Sequence, residues 1–260
     1  MKYNGKNWPA VLEYAESIRD GRKIACPELC QAVGRFFADL QNPAYWLDCE
    51  AAEFCIQIIE KTLCHQQGER LDGTPLRGEP FLLEPHQLFI VYSLVGFKLA
   101  GTDIVKYHEA LIFIPRKNGK TDFAAALSFI FLKYNVKRMG EDRKDGGSVK
   151  IIDNNNEHSL EASLPDGSFF IRALASNPDA HDSLNCNVAI CDEIHAFTKP
   201  KQYNLFKEAM KAYTNKVLIG ISTAGDNEQA FLGQRLKYCR KVLDGTVKDE
   251  QYFVFMCCAP

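Results

Sequence analysis

The segment Ile114-Pro115-Arg116-Lys117-Asn118-Gly119-Lys120-Thr121 joins a short apolar run to a helical stretch. Glycine, lysine and a hydroxyl residue in that order can hold anionic oxygens. Unpaired backbone N–H groups at a helix start point at the anion, and glycine lets the backbone come close. Lys120 would reach the outer phosphates of a nucleotide, and the Thr121 hydroxyl would bind Mg²⁺. The general pattern is G-x-x-x-x-G-K-[ST], and Ile114 stands where its first glycine would be. A chance Gly-Lys-Thr is common. The strand before it and the helix after it are what give this one weight.

Cys191-Asp192-Glu193-Ile194-His195 ends a second apolar run. One carboxylate at a strand tip can hold Mg²⁺, and the next can orient or deprotonate an attacking water. The same residues also suit a plain strand-to-helix turn, where acids complement a helix N-terminus. Ser222-Thr223-Ala224-Gly225 ends a third run. Its hydroxyls could sense a terminal phosphate, or simply make a turn.

These residues need elements to position them. Ala110–Ile114, Asn187–Cys191 and Val217–Ile221 are continuous apolar runs, which suit strands buried on both faces of a parallel sheet. Ser168–Leu174 is read as a further strand. Helical stretches at 121–133, 201–213 and 228–243 alternate with them, which predicts an α/β sheet with its site at the strand C-terminal ends. The first hundred residues read as helices over 7–21, 27–40, 43–67 and 84–96, each opened by a proline or closed by a glycine, with a loop at 70–80. The charged, glycine-rich stretch 139–148 reads as an exposed loop or hairpin.

Composition limits the partners. The chain has 260 residues, 46% of them apolar, and 31 basic against 33 acidic side chains. This globular, near-neutral balance excludes wholesale disorder, and any nucleic-acid contact must come from a local patch. Lys199, Lys201, Lys207, Lys211 and Lys216 could touch DNA phosphate, but a solvated helix face is the plainer reading of them. No apolar run is long enough to span a membrane, and the N-terminus has no apolar signal core. The ten cysteines include no C-x-x-C pair. Cys26-x₃-Cys30 and Cys64-His65 lack a second pair at zinc-ligand spacing, so buried, reduced thiols are expected.

Taken together, these segments resemble one family, the large subunit of tailed-bacteriophage DNA-packaging terminases. Phe81-Leu82-Leu83-Glu84-Pro85-His86-Gln87 looks like the stretch where a glutamine faces adenine, which is Gln87 here. Pro115–Thr121 looks like the family's deviant Walker A, which begins with arginine and lacks the first glycine. Asp166-Gly167-Ser168 and Ala173-Leu174-Ala175-Ser176 look like the approach to Walker B, Ile190–Phe197 like Walker B, and Ile221–Gly225 like the coupling motif.

The resemblance implies an α/β P-loop NTPase fold of the RecA-like, additional-strand, catalytic-glutamate kind over 81–250, preceded by a helical segment over 1–80. It implies Mg²⁺-dependent ATP hydrolysis that drives double-stranded DNA into a procapsid in the bacterial cytoplasm. By motif match, Gln87, Arg116, Lys117, Asn118, Gly119, Lys120 and Thr121 bind ATP, and Thr121 and Asp192 hold Mg²⁺. Glu193 activates water, and Arg116 stabilises the transferring phosphoryl group if it is not simply a solvated loop arginine. Ser222, Thr223, Ala224 and Gly225 couple hydrolysis to movement. The implied partners are DNA, a small subunit, a portal protein and further copies of the chain. Arg138, Arg143 and Arg172 are candidates by type for an arginine acting in trans.

Two departures from the family set further expectations. A strand and helix expected near 133–148 look missing. Residues 251–260 look like the truncated start of the nuclease domain, so no nuclease activity is expected. The competing readings are a helicase-like nucleic-acid ATPase, with Asp192–His195 as a D-E-x-H box, and a non-catalytic remnant.

Overall fold

The computed structural model describes residues 3–70, 72–116, 118–130, 148–154, 157–164, 167–174, 185–197, 200–225 and 229–258. Helices α1 (Trp8–Arg19) and α2 (Pro27–Gln41) each carry proline in the first turn, where no intrahelical N–H is needed. Trp8, Val11, Tyr14, Ala15 and Ile18 make the buried stripe of α1.

The helix expected from residue 43 begins later. Tyr45–Leu47 is strand β1, paired antiparallel with β2 (Phe97–Leu99). The helix α3 then runs Cys49–Thr62, capped by the Asp48 carboxylate, which accepts the Ala51 N–H at 3.0 Å. An N-cap at 48 forces extended backbone before it, so Trp46 sits on a strand and is 40% exposed. Helix α4 (Pro85–Val91) continues as a π-helical turn over Tyr92–Gly96.

Four strands form the main sheet: β3 (Glu109–Phe113), β7 (Val188–Asp192), β8 (Val217–Ser222) and β9 (Tyr252–Met256). Their spatial order is β7-β8-β3-β9, and all pairs are parallel. β3 has a neighbour on each edge and is buried at every position. Its side chains alternate between two cores. Ala110 and Ile112 join Ile219, Ile221, Phe253 and Phe255 under α1, α2 and α4. Leu111 joins Leu218, Val254 and Met256 under α6 (Lys201–Ala209) and α7 (Phe231–Leu243). Burial on both faces is why β3 and β8 read as unbroken apolar runs.

One expectation is corrected by the pairing. Gly167–Ala173 is strand β6, but it does not join the parallel sheet. It forms an antiparallel sheet with β5 (His158–Leu164), which pairs in turn with β4 (Ser148–Asp153). Tyr252–Met256, expected to begin a further unit after residue 250, is itself a strand of the main sheet. It pairs with β3 in the register Glu109↔Tyr252 to Phe113↔Met256, and its five buried side chains fill both cores. The expected gap near 133–148 falls almost wholly on 131–147, outside the described residues.

Buried ion pairs tie these layers together. Lys106, just before β3, pairs with Asp39 of α2, and the Tyr107 hydroxyl donates to the same carboxylate at 2.5 Å. Below β3, Glu109 pairs with Arg235 of α7 and with Lys207 of α6, and accepts from the Tyr203 hydroxyl at 2.9 Å. Lys207 is therefore a structural partner of Glu109. Lys211 pairs with Glu208 on its own helix.

Candidate functional site

The C-terminal ends of β3, β8 and β7 lie side by side, and each ends in one of the three polar segments. After β3 the chain passes Ile114, which is 3% exposed and belongs to the core under α4. An apolar residue fits there because the chain is still inside the protein; the loop turns only after Pro115. Asn118 braces that loop, its Nδ2 donating to the carbonyls of Pro115 and Arg116 at 3.2 and 3.3 Å. Gly119 caps the next helix, α5 (Lys120–Leu127), at φ +63°, a left-handed conformation that favours glycine. Arg116 and Thr121 are exposed beside the loop. Lys117 lies outside the described residues.

Lys120 is buried, and its ammonium reaches the tip of β7. It pairs with the Asp192 carboxylate and, at 2.8 Å, with Glu193 Oε1. Burial alone would weaken this charge. The hydrogen bonds that the ammonium donates to Asp192 and then Glu193 outweigh it and hold the lysine above its ordinary pKa. Both carboxylates stay partly exposed, at 36% and 47% of their side chains, so the pair is open to solvent.

Glu193 has φ +52°, the one positive φ outside glycine among the described residues. A non-glycine side chain there costs roughly 1 kcal/mol or more, and such strain gathers at functional sites. The Asp192 carboxylate steadies the turn by accepting the Glu193 N–H at 2.8 Å.

His195 ties this turn to β8. Its Nδ1 lies 2.9 Å from Glu193 Oε2 and 3.1 Å from the Ser222 hydroxyl. Its backbone N–H donates to the same hydroxyl at 3.2 Å, and that hydroxyl donates to the Thr223 carbonyl at 3.0 Å. Ser222 and Thr223 are buried, whereas Ala224 and Gly225 are exposed. A Cβ at Gly225 would stand 2.8 Å from His195 Cβ, so the close approach of the two turns requires glycine.

A cavity of about 270 Å³ opens beside the loop. Ile24, Leu29, His86, Pro115, Asn118 and Cys257 are among its lining residues. Gln87 is not among them. It is 4% exposed, and its Oε1 accepts the Glu84 N–H at 2.9 Å in a reciprocal cap of α4. The neighbour that reaches the cavity is His86.

Residues 125–241 match the family model described as "Terminase large subunit, ATPase domain". That segment holds the acidic turn, β8 and α7 but begins just after the phosphate-type loop, and it covers less than half of the chain. Among solved structures, the chain is similar to the large terminase of bacteriophage HK97, at 19% identity and a TM-score of 0.49. That likeness covers 79% of this chain and 43% of the HK97 chain, so this chain spans less than half of that relative's length. No curated protein matches it. No helix among the described residues is long and apolar enough to cross a membrane.

The structure thus gathers Asn118, Gly119, Lys120, Thr121, Asp192, Glu193 and Ser222–Gly225 around the acidic turn that lies within the matched segment. It sets Gln87 apart from them. His195 is the contact that sequence reasoning left without a role, although it stood in the D-E-x-H pattern. Asp166 and Ser176, Arg138 and Arg143, and Lys199 lie outside the described residues, and Arg172 is exposed on β6.

Proposed function

We propose that this chain is the ATP-hydrolysing motor part of a phage DNA-packaging terminase, working on double-stranded DNA with a small subunit, a portal and further copies of itself. The observation that carries the reading is the buried Lys120 ammonium lodged against Asp192 and Glu193. A phosphate-loop lysine and an acidic strand tip are at contact distance. The strand order adds support, because β8 lies between the loop strand β3 and the acidic strand β7. That placement suits the additional-strand, catalytic-glutamate class of RecA-like ATPases.

The donor set fits Mg²⁺. The Thr121 hydroxyl and the Asp192 carboxylate are hard oxygen ligands, and a cation already sits on the acidic pair in the form of Lys120. Bound Mg²⁺ would neutralise charge on the outer phosphates. In this mechanism Lys120 moves from the carboxylates to the phosphates. The N–H groups at the start of α5 then hold phosphate oxygens, and the freed Glu193 orients water and accepts its proton. Exposed Arg116 is free to contact the γ-phosphate. The cavity beside Pro115 and Asn118 takes the base, with His86 in the position expected of Gln87.

The test is Mg²⁺-dependent ATP hydrolysis by the purified chain beside Lys120→Ala and Glu193→Gln. Turnover that both substitutions reduce at least about 100-fold supports the motor reading. Turnover unchanged by Glu193→Gln sinks the assigned roles. No turnover, with ATP still raising the melting temperature, favours a binding remnant instead. Strand separation by the active chain would favour the helicase-like reading.

A further inference from the structure

Near the rim of the same cavity, the start of α2 meets the end of β9. Cys26 precedes α2 and is buried, Glu28 lies in its first turn, and Cys258 follows β9. We propose that Cys26, Cys258 and Glu28 form a site for a single thiophilic divalent cation of the zinc class.

Their ligand atoms all lie within 4.8 Å of one another. Two sulfurs on one tetrahedral zinc stand about 3.8 Å apart, given Zn–S bonds of about 2.3 Å. Side-chain rotation alone supplies a closure of that size. The backbone is already arranged around Cys26. The Cys258 N–H points at Cys26 Sγ at 3.4 Å, and the Cys26 thiol donates to the Met256 carbonyl at 3.2 Å. An N–H aimed at sulfur is the kind of outer contact that orients and stabilises a metal-bound thiolate. Cys26 and Cys258 also line the cavity, so a cation has a path in and a fourth position open to water. Cys257 lines it too and offers a further thiol.

The competing partner is also defined. Arg240 of α7 donates to Glu28 Oε1 at 2.8 Å, and a cation must share or displace that contact. The thiols line the cavity that the ATP reading gives to the base, so the cation is titrated without nucleotide, and its binding is read independently of hydrolysis.

The experiment titrates the purified, phosphine-reduced chain with Cd²⁺, reading thiolate-to-cadmium absorption in the ultraviolet. Zn²⁺ affinity follows from competition with a chromophoric chelator. One equivalent should bind to the parent and to Cys64→Ser, whose thiol is exposed and elsewhere. Cys26→Ser and Cys258→Ser should each weaken binding at least about 10-fold. Arg240→Gln, which releases Glu28, should tighten it several-fold, roughly. This last variant keeps the test alive if a buried cysteine substitution fails to fold, as judged by melting without metal. Binding that is equal in the parent and both cysteine variants overturns the proposal. So does a parent that binds no equivalent, or an Arg240→Gln variant no tighter than the parent.

Discussion

His195 Nδ1 stands 3.1 Å from the Ser222 hydroxyl oxygen, which joins the acidic turn after β7 directly to the end of β8. The same nitrogen is 2.9 Å from Glu193. Any shift of Ser222 is therefore felt at the carboxylate through one ring. His195→Ala should lower kcat for ATP hydrolysis about 10- to 100-fold, the scale expected for a misplaced catalytic group. The KM for ATP should change little, because no phosphate contact is lost. Steady-state kinetics checks this, and an unchanged kcat would remove His195 from the mechanism.

Glu193 offers a test of backbone strain. At an ordinary position alanine is more stable than glycine. At φ +52° the order should reverse, with Glu193→Gly more stable than Glu193→Ala by about 1 kcal/mol. Urea unfolding of the two variants measures this directly, since both lose the same carboxylate.

Gly225 should not tolerate a side chain. Gly225→Ala places a methyl 2.8 Å from His195 Cβ, so one of the two turns must move. The expected loss is about 1–3 kcal/mol of stability, with a fall in hydrolysis beyond that of Ala224→Gly as control. Melting and turnover of both variants decide it.

Glu109 carries more stability than a surface acid. It is 10% exposed and shared by Arg235, Lys207 and the Tyr203 hydroxyl. Glu109→Ala leaves the Arg235 guanidinium, itself 17% exposed, without its carboxylate. About 3 kcal/mol should be lost. Denaturant midpoints give the value, and a loss below about 1 kcal/mol would mean that water replaces the partner.

Acid should weaken the fold through two histidines. Burial lowers the pKa of His86, despite opposition from Glu84, and burial with Lys216 lowers that of His108. A histidine depressed in the folded state binds its proton more readily when unfolded. Its contribution is complete above the unfolded value near 6.5 and is lost as pH falls through the lower folded value. Between pH 7.5 and 5, His86→Gln and His108→Gln should each lose less stability than the parent. Equal losses in parent and variants would place the acid sensitivity elsewhere.

What was legible in the sequence follows from which forces act locally. β3 and β8 could be read because burial on both faces writes an unbroken apolar run, and β7, buried at alternate positions, carries a similar run. β1 could not, because Tyr45-Trp46-Leu47 fits a helical stripe as well as a strand, and only pairing with Phe97–Leu99 decides it. β6 was read as a strand, but its partner was not. The polar alternation of His158–Leu164 suits an antiparallel neighbour, yet no local signal names one. Glu84 and Gln87, three residues apart, carried the signal of a helix cap beside the motif match, and the structure forms that cap. The thiols Cys26 and Cys258 lie at opposite ends of the chain, so no spacing rule could pair them.

The placement of β3 also has a consequence for how the chain reaches this form. Both of its neighbours come from far downstream, Leu218 opposite Glu109 on one edge and Tyr252 on the other. During synthesis, a strand apolar on both faces therefore emerges long before either edge can be covered. Loop closure on this scale is slow, and uncovered strand edges invite pairing with other chains. Shielding residues 109–113 until residue 256 has emerged is therefore expected to favour productive folding of this protein.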